Sequence, residues 1–310
     1  MARTLACRKS RSSEASASEA GSFDPAIASF LEEIYADCAG SGRLCRDPLA
    51  LVVPYADIAD REVVGLVCST LAFGSVDLIM DACSRALSPL GSHPASSILS
   101  MSDTDIEEAW AGFQYRYCFP RDIQALMRSI RGALRANGSL ERLFAAGDGA
   151  EGASTLLETV APRAERSIIP ALSAFSRALR SLGSRSGGDG RLGSIRPNLL
   201  PDPAQGSACK RLLLYLRWMV RTDAIDPGGW KSLSPERLLV PLDTHMAATC
   251  SSRLGFLPPA RSGRQPNLKD SIAVTARFAI YSPDDPVKYD FALTRPGIDP
   301  RPGDEAYGCL

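Results

Sequence analysis

The chain has 310 residues, which is enough for one large domain or two smaller ones with a substantial core. Its formal net charge is zero, and no run of about 18 apolar residues occurs, which excludes a membrane-spanning helix. The charges are uneven: residues 55–110 hold nine acids and two bases, whereas residues 205–270 hold ten bases and five acids. The basic segment favours a polyanionic partner, although exposed arginine-rich helices would give the same surplus.

The cysteines indicate a protein with reduced thiols. Nine of them are spread over apolar segments, without a CxxC pair and without the spacing of a zinc or iron–sulfur site. We therefore expect buried thiols, no metal, no cofactor and a cytoplasmic location. Residues 1–22 lack the apolar stretch of a signal peptide and are predicted to be a disordered tail.

Helical patterns follow this tail in chain order. They are predicted for residues 23–38, 60–74, 75–87 and 102–113, and then for the segments 121–135, 139–147 and 170–183. Alternating patterns of strand length are absent, so the predicted class is all-α. The Gly- and Ser-rich stretch 183–197 predicts a flexible linker between an N-terminal lobe, 23–182, and a C-terminal lobe, 198–310.

The segment "GSACKRLLLYLRWMVR" (206–221) predicts a helix from Ser207 with Lys210 and Arg211 in its first turn. Unpaired N–H groups make that helix end positive, so it disfavours the protonated form of an amine. A neutral lysine amine attacks carbon, as Schiff-base lysines do. A surface lysine whose flexible stem reaches away from the helix end is the alternative.

The segment "LLVPLDTHMAATCSSRLGF" (238–256) predicts a second helix start. Pro241 ends what precedes it, Asp243 or Thr244 caps the new helix, and Gly255 ends it. The helix dipole favours the ionised form of Asp243. Asp243 is either only a cap, or a fixed carboxylate that activates Lys210 and stabilises positive charge on a sugar ring.

These two segments carry a resemblance to a known superfamily. "PLDTHMAATCSSRLGF" resembles the V-D-T-H-V and R-L-G segment of helix-hairpin-helix DNA glycosylases, in which the aspartate is catalytic. Lys210 precedes Asp243 by 33 positions, a separation similar to that of the archaeal 8-oxoguanine DNA glycosylase branch. The span 197–299 also resembles a family of bacterial proteins described as hypothetical. The usual hairpin motif L-P-G-V-G-x-x-T-A and the cysteine cluster of endonuclease III are both absent.

The resemblance implies a two-lobed, helical, glycosylase-like fold with an irregular hairpin. It implies base-excision repair of an oxidised purine such as 8-oxoguanine, with Lys210 as Schiff-base nucleophile and Asp243 as its activator. The lysine makes such an enzyme an AP lyase as well. The implied partner of this monomer is double-stranded DNA containing a damaged base, with no cofactor.

Further site candidates are less specific. Ser207 and Arg211 are predicted to bind phosphate at the helix start. His245 either orients Asp243, contacts phosphate or lies on a plain helix surface. Phe73 would wedge into the base stack or pack on the extruded base, and Trp218 would line the pocket, unless either belongs to the core. Trp230, Lys288 and Asp290 are left open in the same way, between the pocket and structural roles.

Two other classes of function stay open. A non-catalytic nucleic-acid-binding protein of glycosylase fold would explain the degenerate hairpin. A helical protein-interaction module would use the acidic face of residues 55–110.

Overall fold

The structure, a computed structural model, describes residues 22–148, 167–183, 195–259 and 265–307. Within these ranges the chain forms twelve α-helices, several short 3-10 turns and no strand, only isolated bridges such as Tyr115 to Cys118. The predicted all-α class is confirmed. The helices are α1 (Pro25–Cys38), α2 (Ile58–Leu71), α3 (Val76–Leu87), α4 (Pro94–Ser100), α5 (Asp103–Ala109), α6 (Pro120–Asn137), α7 (Leu140–Asp148), α8 (Ile169–Gly183), α9 (Lys210–Val220), α10 (Thr244–Ser252), α11 (Leu268–Phe278) and α12 (Asp290–Ile298).

Side-chain caps fix several of these helix starts. Asp24 accepts a hydrogen bond from the N–H of Ala26 at the start of α1, and Ser102 forms a capping box with Asp105 at the start of α5. The predicted helix 60–74 runs from Ile58 to Leu71 in the structure. Ala72 leaves the helical conformation, and Gly74, with a φ of 115°, belongs to the loop before α3. The predictions did not include α4 or α11.

Helix α2 connects the layers of the fold. It packs against α3, α4 and α9. Helices α6, α7 and α8 pack together as a second layer, which α2 contacts through α7. Helix α1 packs against α12, so the beginning of the described chain lies against its end. Most of the predicted linker 183–197 and of the predicted tail 1–22 lies outside the described residues, and the division into two lobes stays a prediction. No helix in the described ranges combines the length and the apolar composition needed to cross a membrane.

A buried charge network fixes the second half of α9. Arg217 and Arg221 both pair with Asp226, which is fully buried, and Arg221 also pairs with Asp285 at 2.9 Å. Burial raises the pKa of Asp226, although the two guanidinium groups oppose this. Two of the bases counted in 205–270 are therefore neutralised inside the fold, so the surface there is less basic than the sequence predicts.

Replacement of Asp226 tests this network. Asp226→Asn leaves two buried guanidinium groups with one carboxylate fewer, and we expect a loss of about 3–5 kcal/mol in unfolding free energy. Asp81→Asn is the control, because Asp81 forms an exposed pair with Arg85 and its loss is expected to cost under about 0.5 kcal/mol. Urea unfolding of the two variants measures both values, and equal effects would contradict the assigned role of Asp226.

Candidate active site

Lys210 is the first residue of α9, three positions after the predicted helix start at Ser207. The helix begins late because the preceding segment turns sharply: Gly206 has a φ of 81° and Cys209 a φ of 47°. Left-handed backbone is uncommon for a residue other than glycine and costs free energy. The turn places the Lys210 side chain at the very end of the helix, where the backbone N–H groups are unpaired.

Asp243 holds the start of α10 and the lysine at the same time. Its Oδ1 accepts the backbone N–H of Met246 at 2.8 Å, so the predicted cap is confirmed. Its Oδ2 lies 2.8 Å from Lys210 Nζ. One carboxylate therefore connects the N-termini of two helices. The Asp243 side chain is 14% exposed and that of Lys210 is 37% exposed, so the lysine stays accessible.

The surroundings of Asp243 keep it ionised. Burial alone would raise the pKa of the carboxyl group, but the charge and the hydrogen bond of Lys210 and the Met246 N–H outweigh it. The pKa of Asp243 is therefore lowered from its ordinary value. The ionised carboxylate is ready to stabilise positive charge that develops beside it.

A cleft of about 470 Å³ opens beside this pair. Its size is within the usual range for small-molecule sites, about 300–1,000 Å³. The cleft wall contains four basic side chains, and each is paired with an acidic side chain of the same wall. These pairs are Arg46 with Asp77, Lys210 with Asp243, Arg217 with Asp290, and Arg295 with Asp47. The described residues hold no cluster of His, Cys, Asp and Glu suited to a metal ion.

Three aromatic side chains lie at Phe73 and on the nearby segment 115–121, and we call Phe73, Tyr117 and Phe119 the aromatic rim. Of the three, Phe73 lines the cleft, and its ring stacks on Tyr117 with 4.4 Å between centroids. Tyr117 and Phe119 are 38% and 37% exposed. Arg211 lies over the Phe73 ring and donates to the carbonyl groups of Thr70 and Asn198. The segment "YRYCFPR" was the available sequence signal for Tyr117 and Phe119, which the predictions missed.

The other predicted site residues do not all lie at the cleft. His245 is exposed and lines the cleft, whereas Ser207 is exposed and accepts a hydrogen bond from the N–H of Cys209. Of the two alternatives for Trp218, the structure supports the core: its side chain is fully buried and does not line the cleft. Trp230 is likewise a core residue, and its indole N–H binds Glu62.

Asp290 and Lys288, both left open between the pocket and a structural ion pair, have different positions in the structure. Asp290 begins α12, lines the cleft and pairs with Arg217, so it has both of the roles considered for it. Lys288 instead binds Glu32 at 2.8 Å and does not line the cleft.

The lowered pKa of Asp243 predicts a pH dependence of stability. A carboxyl group whose pKa falls on folding stabilises the fold above its unfolded pKa, and this contribution disappears as the pH falls through the folded pKa. Asp243→Asn retains a capping side chain without the charge. We expect its deficit in unfolding free energy to be full near pH ~6 and to shrink below pH ~4. Urea unfolding over this range measures it, and a deficit independent of pH would contradict the prediction.

Comparison with known proteins places this site within one family. No curated protein and no solved structure matches the chain. One family model matches residues 47–299, which include both Lys210 and Asp243, and its description is "Protein of unknown function (DUF2400)". The match covers most of the chain, so the protein belongs to the DUF2400 family.

Proposed function

We propose that this protein is a base-excision DNA glycosylase with AP-lyase activity. The observation that carries the proposal is the 2.8 Å contact between Lys210 Nζ and Asp243 Oδ2 at the wall of a cleft. The residues come from two helix starts 33 positions apart, so their meeting is a property of the fold. A lysine amine beside a fixed carboxylate is an arrangement that supports covalent catalysis at a sugar carbon.

The chemistry follows from these two groups. Lys210 gives up one proton, and its nitrogen lone pair attacks C1′ of the damaged nucleotide. The bond between C1′ and the base breaks, and its electron pair leaves with the base, which takes up the proton. Asp243 stabilises the positive charge on the sugar during this step.

Strand cleavage needs a Schiff base. The new secondary amine loses a proton, and its lone pair forms the C=N bond as the bond from C1′ to O4′ breaks and O4′ is protonated. Removal of a proton from C2′ then expels the 3′ phosphate by elimination. Water finally hydrolyses the adduct and returns Lys210.

The charges of the cleft favour a neutral occupant. Four basic and four acidic side chains line it in pairs, which leaves no surplus positive charge for a phosphate group. A nucleobase is neutral and rich in polar edges, and an enzyme that acts on it must extrude it from the duplex into a pocket. An oxidised purine such as 8-oxoguanine is the base we propose, on the strength of the family resemblance.

The position of the cleft also supports the proposal. Phe73, Asp243 and Asp290 reach it from the loop before α3 and from the starts of α10 and α12. Such a cleft between separate groups of helices agrees with a two-lobed glycosylase-like fold, which is part of this proposal. Double-stranded DNA as the partner, a monomeric state and a cytoplasmic location are further parts of it.

The aromatic rim would hold the DNA beside the cleft. Nucleobases stack on exposed aromatic rings, and arginine interleaved with them adds cation–π and phosphate contacts. Arg116 and Arg121 are exposed on the same segment as Tyr117 and Phe119. The rim therefore offers a stacking surface for a base next to the extruded one.

Covalent trapping tests the catalytic role of Lys210. With a duplex that contains 8-oxoguanine and with borohydride present, we expect the wild type to form an adduct that Lys210→Ala does not form. Lys269→Ala is the matched control, since Lys269 is an exposed lysine in the first turn of α11, outside the cleft. Denaturing gels measure the adduct. An adduct that persists in Lys210→Ala would overturn the assignment.

Substitution of Tyr117 tests the rim. Loss of a stacking aromatic costs about 1–3 kcal/mol of binding per base, so Tyr117→Ala should weaken duplex binding by roughly 5- to 150-fold. Phe23→Ala is the control, because Phe23 is exposed and packs on Tyr281. Fluorescence anisotropy at fixed salt measures the affinities, and equal affinities for the two variants would exclude a stacking role.

A further inference from the structure

Arg295 has hydrogen-bonding capacity that the fold does not use. It lies on α12 and lines the cleft, with a side chain that is only 4% exposed. Its Nη2 pairs with Asp47 Oδ2 at 3.0 Å, and the ring of Phe291 covers one face of the guanidinium at 4.3 Å. Its Nε and Nη1 are buried and have no hydrogen-bond partner among the described residues.

The other basic side chains of the cleft differ in this respect. All three nitrogens of the Arg217 guanidinium bind carboxylates, and Lys210 Nζ binds Asp243. Arg46 is half-exposed, so water reaches the part of its guanidinium that Asp77 leaves free. Burial of charged donors without acceptors is costly, about 1–3 kcal/mol for each group. Arg295 alone carries this cost at the cleft.

We propose that Arg295 is a specificity-determining residue that donates a spare N–H group to a carbonyl oxygen on the base bound in the cleft. The inference rests on the proposed glycosylase function and names the substrate class more closely. The occupant is a base with a carbonyl oxygen on the edge that faces α12. Oxopurines have this feature, and an edge that presents only an amino group does not.

The surrounding charges favour a carbonyl over a charged acceptor. Asp47 already neutralises Arg295, and its second oxygen caps the N–H of Leu49, so the ion pair is held in place. A phosphate or carboxylate would meet Asp47 beside its binding partner and be repelled. A neutral carbonyl oxygen accepts the hydrogen bond without that repulsion. A guanidinium that binds a carbonyl edge is also a common way in which proteins read guanine.

Two reactions of the full-length enzyme separate this inference from the proposed function. Excision of 8-oxoguanine requires recognition of the base, whereas borohydride trapping on a preformed abasic site uses Lys210 without any base. For Arg295→Met we expect single-turnover excision to slow by about tenfold or more, because the variant loses one charge-assisted hydrogen bond to the base. Trapping on the abasic site should stay within about twofold of the wild type, because no contact in that reaction involves a base.

Arg301→Met is the matched control. Arg301 also pairs with a carboxylate, Asp299, but it lies outside the cleft, so both reactions should remain as in the wild type. If Arg295→Met does not fold, Arg295→Lys serves instead. It keeps a charge opposite Asp47 and loses the planar set of donors, and the same split between the two reactions is expected.

The rates of the two reactions together decide whether Arg295 recognises the base. Excision slowed with trapping unchanged supports the role of Arg295. Both reactions slowed equally would make Arg295 a structural residue, and excision at the wild-type rate would remove any role in base recognition. Trapping by the wild type without excision of 8-oxoguanine would overturn the assignment to an oxopurine while leaving Lys210 as a nucleophile. Failure of the wild type in both reactions would remove the proposed function, and the role of Arg295 with it.

Discussion

The contact between Lys210 and Asp243 is the interaction on which the site depends. Two helix N-termini that point to one place would repel each other and any cation between them. The Asp243 carboxylate resolves this conflict, since one oxygen caps α10 and the other binds the amine at the start of α9. The left-handed turn at Cys209 delivers the amine to that point. Removal of the carboxylate would therefore disturb the starts of two helices and the Lys210 amine together.

Charge pairing extends this arrangement over the whole cleft. Each basic side chain of the wall is opposite a carboxylate, and the buried network around Asp226 anchors Arg217 from behind. Such pairs add little net stability, but they hold polar groups in fixed orientations within a low-dielectric site. A cleft of this kind is polar without being charged, which suits a base better than a phosphate group.

The sequence predicted the features that depend on local rules. The cap at Asp243 follows from a side chain that binds a nearby N–H group, and the structure confirms it. The pairing of Lys210 with Asp243 was expected from the family resemblance and from the electrostatics of two helix starts. Neither source depends on knowing how distant helices pack.

The features that depend on packing could not be predicted. Trp218 and Arg217 are adjacent on α9, yet one is in the core and the other reaches the cleft, and only the neighbouring helices decide this. Asp47 and Arg295 meet across most of the chain length, so no spacing rule connects them. The basic surplus of residues 205–270 was overestimated as a surface property, because Asp285 and Asp290, which lie outside that segment, neutralise part of it.

Peptide mapping of the covalent intermediate identifies the nitrogen that attacks the sugar. The wild-type protein is reacted with a lesion-containing duplex under borohydride, the DNA and the protein are digested, and the modified peptide is sequenced by tandem mass spectrometry. We expect the deoxyribose fragment to be attached to the side-chain nitrogen of Lys210. Attachment at another lysine or at the α-amino group, or an unmodified Lys210 in a protein that cleaves the strand, would contradict this expectation.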